Sequence, residues 1–284
     1  MGKTNVGKST LLNRLVGHKV AITAKKPQTT RSRILGVRTF EDRGQIIFLD
    51  TPGVHRPEST MGRIMVNIAY STLMEVDLIL MMVEATREFS PEDEALLNRV
   101  KEAGTTSFLL INKVDAVKRE QVLPLIDFYS KLHSFAEIIP LSALTGDNVD
   151  LLIEKILEYL PEGPKYFPDD EITDQPERQI MAEIIREKVI MLTRQELPYQ
   201  TAVSVDMFKE EEGLIHIEAT IYVERESQKG IVIGKRGEML KKIGTLAREE
   251  MEFLLGTKVY LGLWVKVKPR WREDLRFLKN LGIN

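Results

Sequence analysis

The sequence predicts an α/β domain built on a mostly parallel sheet with helices on both faces, then a linker and a smaller α+β domain. Three observations predict it. Over residues 1–163, apolar runs of strand length alternate with amphipathic helical stretches, the pattern of strand–helix crossovers in a parallel sheet. The run Pro161-Glu162-Gly163-Pro164-Lys165-Tyr166-Phe167-Pro168, extended by Asp169-Asp170-Glu171, then breaks that alternation. Beyond it the order becomes helix, two alternating strands, two helices around a glycine turn, and a last strand. The expected domains are therefore 1–163 and 178–284, with the linker at 164–177.

Composition sets the limits. With 284 residues and 43% hydrophobic content, the chain has enough apolar side chains for a core in each domain. It has no cysteine, which excludes disulfides and thiolate metal sites and is compatible with a reducing cytoplasm. His18, His55, His133 and His216 fall at no ligand spacing, so a transition-metal centre is not expected. The longest apolar run, Leu78-Ile79-Leu80-Met81-Met82-Val83, suits a buried strand and is too short to cross a bilayer. Myristoylation is not expected, because Val6 stands where that signal needs Ser or Thr. At a net charge of −2, affinity for nucleic acid has to come from a local basic surface.

The first domain opens on Gly2-Lys3-Thr4-Asn5-Val6-Gly7-Lys8-Ser9, which fits G-x-x-x-x-G-K-[ST] without mismatch. Its glycines let the backbone curl so that several N–H groups face an anionic phosphate chain. Lys8 reaches the outer phosphates, Ser9 offers a hydroxyl to Mg²⁺, and the helix from Thr10 onward turns its positive end to the anion. A plain turn before a helix needs one glycine, not this string. Such a loop usually hangs from a buried strand, and only Met1 precedes Gly2. A missing first strand, a phosphate loop without an anchor and a gap at the centre of the sheet are therefore expected.

Next comes the polar loop Lys25-Lys26-Pro27-Gln28-Thr29-Thr30-Arg31, whose hydroxyls suit the sensing of a terminal phosphate through Mg²⁺. After a strand at 34–40, Gln45-Ile46-Ile47-Phe48-Leu49-Asp50 ends in a carboxylate placed for the Mg²⁺ water shell. In Thr51-Pro52-Gly53 the Gly53 N–H can approach a γ-phosphate because no Cβ intervenes. Residues 55–71 run from a loop into a helix, and 77–84 form the next strand. Ser90-Pro91-Glu92-Asp93-Glu94 starts a helix, with Ser90 as N-cap and Pro91 at the first position. The strand at 107–111 delivers Asn112-Lys113-Val114-Asp115. Asp115 can accept both the ring N–H and the exocyclic amine of guanine, a pair adenine cannot make. Lys113 can cover the base plane, and Asn112 can tie this loop to the phosphate loop. Past the strand at 137–141, Ser142-Ala143 offers a backbone N–H to the guanine carbonyl, and a helix at 149–160 closes the domain. Each signal alone also reads as an ordinary turn or cap. In this order, at the ends of successive strands, they describe one guanine-nucleotide site.

In the second domain a helix over 179–195 precedes strands at 202–208 and 214–223, where Ile215, Ile217, Ala219 and Ile221 alternate with polar residues. Gly234-Lys235-Arg236-Gly237 is a G-x-x-G turn between two helices. It brings a nucleic-acid backbone close to main-chain N–H groups and two cations, with Lys241 and Lys242 following. Ile231, Ile233 and Ile243 are expected to line a groove for unstacked bases. A last strand covers 259–267. The tail Lys266-Val267-Lys268-Pro269-Arg270-Trp271-Arg272 places basic residues near Trp264 and Trp271, which suits RNA contact and suits core packing equally.

The first set of motifs resembles the phosphate-loop GTPases, and the second resembles a KH domain of the prokaryotic type (type II). Together they resemble the Era family of bacterial ribosome-assembly GTPases, on Gln28-Thr29-Thr30-Arg31, Asp50-Thr51-Pro52-Gly53, Asn112-Lys113-Val114-Asp115, Gly234-Lys235-Arg236-Gly237 and Leu263-Trp264-Val265-Lys266-Val267-Lys268. That resemblance implies slow hydrolysis of GTP to GDP, with Mg²⁺ at Ser9, Thr30 and Asp50. It implies nucleotide contacts from Gly2, Asn5, Gly7, Lys8, Ser9, Thr10, Gly53, Asn112, Lys113, Asp115, Ser142 and Ala143. Val54 follows where some GTPases place a water-orienting Gln, and the similarity implies a K⁺ held by Asn5 as the missing charge. Lys8, Thr30, Gly53 and Asn5 are the catalytic expectation. Thr4 stands where the family more often has Pro. The partners implied are the 3′ end of 16S ribosomal RNA and the 30S subunit or its precursor, for a cytoplasmic monomer with peripheral membrane association. Two other readings compete: an RNA-binding assembly chaperone whose GTPase half is inactive, and one half of a double GTPase, which would carry a degraded G-x-x-G.

Overall fold

The computed structural model describes residues 1–24, 29–193 and 197–283. Lys25-Lys26-Pro27-Gln28 of the threonine loop fall outside them. The chain divides into two units: Met1–Ala21, Thr30–Glu58 and Gly62–Asp174 form the first, and Ile22–Thr29, Ser59–Met61 and Gln175–Asn284 the second.

In the first unit, α1 (Lys8–Val16) buries Leu11, Leu12, Leu15 and Val16 on one face. Strands β1 (Ile34–Phe40) and β2 (Gly44–Asp50) pair antiparallel, with Ile34 opposite Asp50. A mostly parallel sheet does not anticipate this pair. The connection at 41–43 is too short for a parallel crossover, so a hairpin is the only closure available. Then follow α2 (Thr60–Ser71), β3 (Ile79–Glu84), α3 (Pro91–Ala103), β4 (Ser107–Asn112), α4 (Val122–Leu132), β5 (Glu137–Pro140) and α5 (Val149–Tyr159). Helix α3 begins with a reciprocal capping box between Ser90 and Asp93.

Strands β3, β4 and β5 form a parallel sheet with β4 central, and all six residues of β4 are buried. Strand alternation splits β4 between two cores. Phe108 and Leu110 pack with Leu11 and Leu15 of α1 and Leu152 and Ile156 of α5, whereas Leu109 and Ile111 pack with Leu96 and Leu97 of α3 and Tyr129 of α4. The continuous apolar run of β4 follows from being covered on both faces.

Among the described residues the β1–β2 hairpin and the β3–β4–β5 sheet remain separate. A cavity of about 610 Å³ lies between β2 and β3, lined by Leu11, Leu15, Phe48, Leu80, Leu110 and Ile156 among others. The expectation of a phosphate loop without an anchor is corrected here. Gly2 forms a parallel bridge to Met82 and Lys3 one to Val54, while the Met82 N–H donates to the Met1 carbonyl at 2.7 Å and the Val54 N–H to the Gly2 carbonyl at 3.1 Å. These contacts tie the start of the loop to β3 and to Val54, while the expected gap in the sheet stays open as the cavity between β2 and β3.

In the second unit, α6 (Glu177–Leu192) leads to β6 (Ala202–Glu211), β7 (Leu214–Val223), α7 (Glu226–Ile233), α8 (Glu238–Leu255), β8 (Lys258–Val267) and α9 (Leu275–Asn280). The sheet order is β6–β7–β8, antiparallel then parallel, with a bulge between Val205 and Met207. Ile215, Ile217, Ala219, Ile221 and Val223 face inward against Met181, Ile185 and Val189 of α6 and Ile243, Ala247 and Met251 of α8. The spacing of four on α8 gives one buried stripe.

Candidate functional site

The residues predicted to bind nucleotide come together at the C-terminal ends of β2 and β4 and beyond β5, where open α/β sheets take their ligands. Gly7 ends the phosphate loop at φ 105°, a left-handed conformation that costs a side chain strain. It also has no room for one, since a Cβ there would lie 2.2 Å from the Asn112 Nδ2. Gly53 is held as closely: a Cβ would sit 2.8 Å from the Thr4 Cα. The Lys8 Nζ curls over the loop and donates to the carbonyls of Gly2 at 3.2 Å and Lys3 at 2.8 Å. Thr10 is half-buried in the first turn of α1, and Asn5 lies at φ 66° with its side chain half-exposed. Lys3 is tied to α3 through Asp93 Oδ2 at 2.5 Å and Ser90 Oγ at 3.0 Å.

Three oxygens converge below the loop. The buried Ser9 hydroxyl donates to Asp50 Oδ2 at 2.7 Å and lies 2.8 Å from Thr30 Oγ1, which in turn donates to the same carboxylate at 3.2 Å. Two hydroxyls and a carboxylate within hydrogen-bonding distance are a hard-oxygen set of the kind Mg²⁺ takes, beside phosphate oxygens and water. The residues present therefore fit that ion.

Burial pushes the Lys8 ammonium below its ordinary pKa of 10.5, and the Asp50 carboxylate only partly opposes the shift. Bound phosphates favour the charged amine. Between the lowered value of the free protein and the higher value of the complex, binding must take up a proton, so GTP affinity is expected to fall as pH rises through that interval. Calorimetric titration in two buffers of different ionisation enthalpy reads the uptake directly. A binding enthalpy independent of buffer at alkaline pH contradicts it.

On the side predicted to face the base, the loops are joined by Asn112. Its amide Nδ2 donates to the Val6 carbonyl at 2.7 Å and its Oδ1 accepts the Ala143 N–H at 2.9 Å. The Ser142 N–H goes to the Asp147 carbonyl at 3.1 Å, so both backbone donors of the Ser-Ala pair are engaged in this structure. Lys113 takes a left-handed conformation, φ 64°, and pairs with the buried Glu84 at the end of β3. Asp115 is exposed in the short turn that follows.

Sequence reasoning missed Glu84, which also pairs with Arg87, and Arg14. From α1, the Arg14 guanidinium donates to the carbonyls of Ala143 at 2.8 Å and Leu144 at 2.5 Å, supporting the Ser-Ala loop from behind. Both act across more than twenty residues of sequence, and no local pattern marks them.

In the second unit, Gly234 ends α7 at φ 73°, where a Cβ would meet the Met239 Cβ at 2.6 Å, and Gly237 (φ 81°) caps α8. Lys235, Arg236, Lys241 and Lys242 are all exposed around this turn. A groove of about 420 Å³ runs beside it, lined by Gly237, Leu240, Lys241, Gly244, Thr245, Arg248, Leu261 and Leu263. Of Ile231, Ile233 and Ile243, expected to line a groove for bases, the expectation for Ile243 is corrected. Ile243 is fully buried on the core face of α8, and the apolar wall comes instead from Leu240 and from Leu261 and Leu263 of β8.

A family model described as a 50S ribosome-binding GTPase matches residues 1–113, and one described as a KH domain matches 196–272. The GTPase Era of Syntrophus aciditrophicus (strain SB) is 54% identical over 286 aligned residues, which is 100% of this chain and 93% of that protein. The chain belongs to the Era family of GTPases. Two solved Era structures are similar along nearly the whole chain. A point variant of Aquifex aeolicus Era bound to GDP and aluminium fluoride has a TM-score of 0.96 at 47% identity, covering 99% of this chain and 96% of that one. Era in complex with magnesium GDPNP and nucleotides 1506–1542 of 16S ribosomal RNA has a TM-score of 0.97 at 47% identity, with the same shares covered. The Era enzymes hydrolyse GTP and use guanine nucleotide with Mg²⁺. In this Era chain no helix among the described residues is long and apolar enough to cross a membrane.

Proposed function

We propose that this chain is a GTP-driven switch of 30S subunit assembly. The GTP-bound form grips the 3′ end region of 16S ribosomal RNA through the second unit, and hydrolysis favours release. The observation that carries this reading is the full-length likeness to an Era protein solved with both a GTP analogue and that RNA segment. In this reading the protein is a cytoplasmic monomer whose attachment to a membrane is peripheral. The GTP-bound form is expected to bind the RNA 3′ end more tightly than the GDP form, and equal affinities contradict the switch.

Within it, Ser9, Thr30 and Asp50 hold Mg²⁺ against the phosphates, which offsets charge on the transferring group. Lys8 and the loop N–H groups stabilise the charge that builds on the phosphate oxygens during in-line attack, and the Gly53 N–H faces the γ-phosphate. The convergence of those three oxygens favours a working enzyme over an RNA chaperone with an inactive GTPase half.

Gly234, Lys235, Arg236 and Gly237, with Lys241 and Lys242, clamp the RNA backbone. Gly237→Glu tests this: a Cβ there meets nothing within 4 Å, and Gly237→Asn, which tolerates the left-handed φ of 81° without adding charge, controls for backbone strain. RNA affinity is expected to fall by at least about 10-fold and GTP turnover without RNA to stay unchanged. Undiminished RNA binding sinks the assignment.

Val54 is buried and apolar, so no side chain at that position orients the attacking water. We assign that deficit to K⁺ held by Asn5. Turnover is expected to be faster in K⁺ than in Na⁺, and Asn5→Ala to abolish the difference. Equal rates for the unaltered protein in the two salts remove the K⁺ site.

A further inference from the structure

The two tryptophans near the end of the chain meet opposite fates. Trp271 is 0% exposed, and its indole N–H donates to the Gln200 carbonyl at 3.0 Å, so it belongs to the fold. Trp264 lies on the outer face of β8 and is 47% exposed. Gly262, two residues earlier on the same face, makes room for it: a Cβ there would come within 3.0 Å of two atoms of the indole ring. The indole therefore packs against Gly262 while about half of the residue stays exposed, at 47%. Further along the same row, Tyr260 is 54% exposed, and its ring centroid lies 5.3 Å from that of His216.

Two large aromatic side chains left about half exposed forgo part of the burial that usually justifies them on a sheet. Lysines bracket the row, and the carboxylates of Glu218 and Asp206 lie on its β7 side. Exposed Lys258 and Lys266 end the row on β8, the former also reaching Glu252 at 3.5 Å, and Glu218 stands across from Gly262. β8 is an edge strand, and its opposite face supplies Leu261 and Leu263 to the groove beside the G-x-x-G turn. One strand thus carries the groove wall on one side and the aromatic row on the other. A G-x-x-G loop clamps about four nucleotides. The RNA held by the solved Era relative runs from nucleotide 1506 to 1542, far beyond that capacity.

We propose that the outer face of β8, centred on Trp264 and Tyr260, is a second site for single-stranded RNA, receiving nucleotides that leave the groove around the sheet edge. This rests on the reading of the second unit as an RNA-binding KH domain. Tyr260 and Trp264 are four residues apart on one strand, about 13 Å. Stacked neighbouring bases are about 3.4 Å apart, so the two rings take bases from an extended, unstacked strand.

The test uses the full chain and two RNAs: an oligonucleotide of about six nucleotides, enough to fill the groove, and the 1506–1542 fragment. Trp264→Ala is expected to weaken the long RNA by about 5- to 100-fold and to leave the short one unchanged, as loss of a stacking platform does. Trp264→Phe retains most of the affinity. Intrinsic fluorescence should be quenched by the long RNA and not by the short one, and Trp264→Phe should remove the quench, because Trp271 is buried. Wild-type affinity of Trp264→Ala for the long RNA overturns the site and leaves the face to a partner other than RNA. Equal weakening on both RNAs overturns it too, since the indole then acts through the fold. If the unaltered protein binds neither RNA, the KH reading itself has failed, a result distinct from failure of the platform alone.

Discussion

Asp115→Asn is expected to weaken GTP binding by about 10²- to 10⁴-fold, the loss of two charge-assisted hydrogen bonds, and to make the protein accept xanthosine triphosphate. A carboxylate accepts from both the ring N–H and the 2-amino group of guanine. An amide accepts one hydrogen bond and donates one, which matches a base with a ring N–H beside a 2-oxo group. Asp115 is exposed in a short turn, so the exchange costs the fold little. Isothermal titration with the two nucleotides measures the reversal. Unchanged GTP affinity removes Asp115 from the base site.

Lys8→Met is expected to lower GTP turnover by about 10²- to 10³-fold, the usual loss when a donor aimed at developing charge is removed. The same substitution should raise the unfolding temperature of the nucleotide-free protein. Burial holds the Lys8 pKa below its ordinary value, so below pH 10.5 the folded chain carries a penalty at this amine that the unfolded chain does not. An isosteric apolar side chain relieves that penalty. A joint fall in turnover and unfolding temperature means that Lys8 matters for folding, and the catalytic assignment then fails.

The parts of the site that were legible in the sequence are those where backbone geometry restricts residue type. Gly7 at φ 105° against Asn112, and Gly234 at φ 73° against Met239, have no substitute, so the glycines announce the turns. Asn112 reads from its strand-end position. Strand order in the first unit was legible only in part: the three residues between β1 and β2 require a hairpin, but the alternation of apolar runs elsewhere favoured parallel pairing. Ile243 misled because a buried helix face and a groove wall share one hydrophobic period, and only its alignment with Ala247 and Met251 places it inside. Arg14 and Glu84 were invisible, since each acts on a loop distant in sequence through a contact that tertiary folding creates. Trp264 and Trp271 have similar basic neighbours, and nothing short of the fold separates the exposed ring from the buried one.

One amide, that of Asn112, touches the loop facing the phosphates and the loop facing the base. The two loops are therefore held to each other before any ligand arrives. Neither loop has to find the other when a ligand lands, so that part of the ordering does not oppose binding.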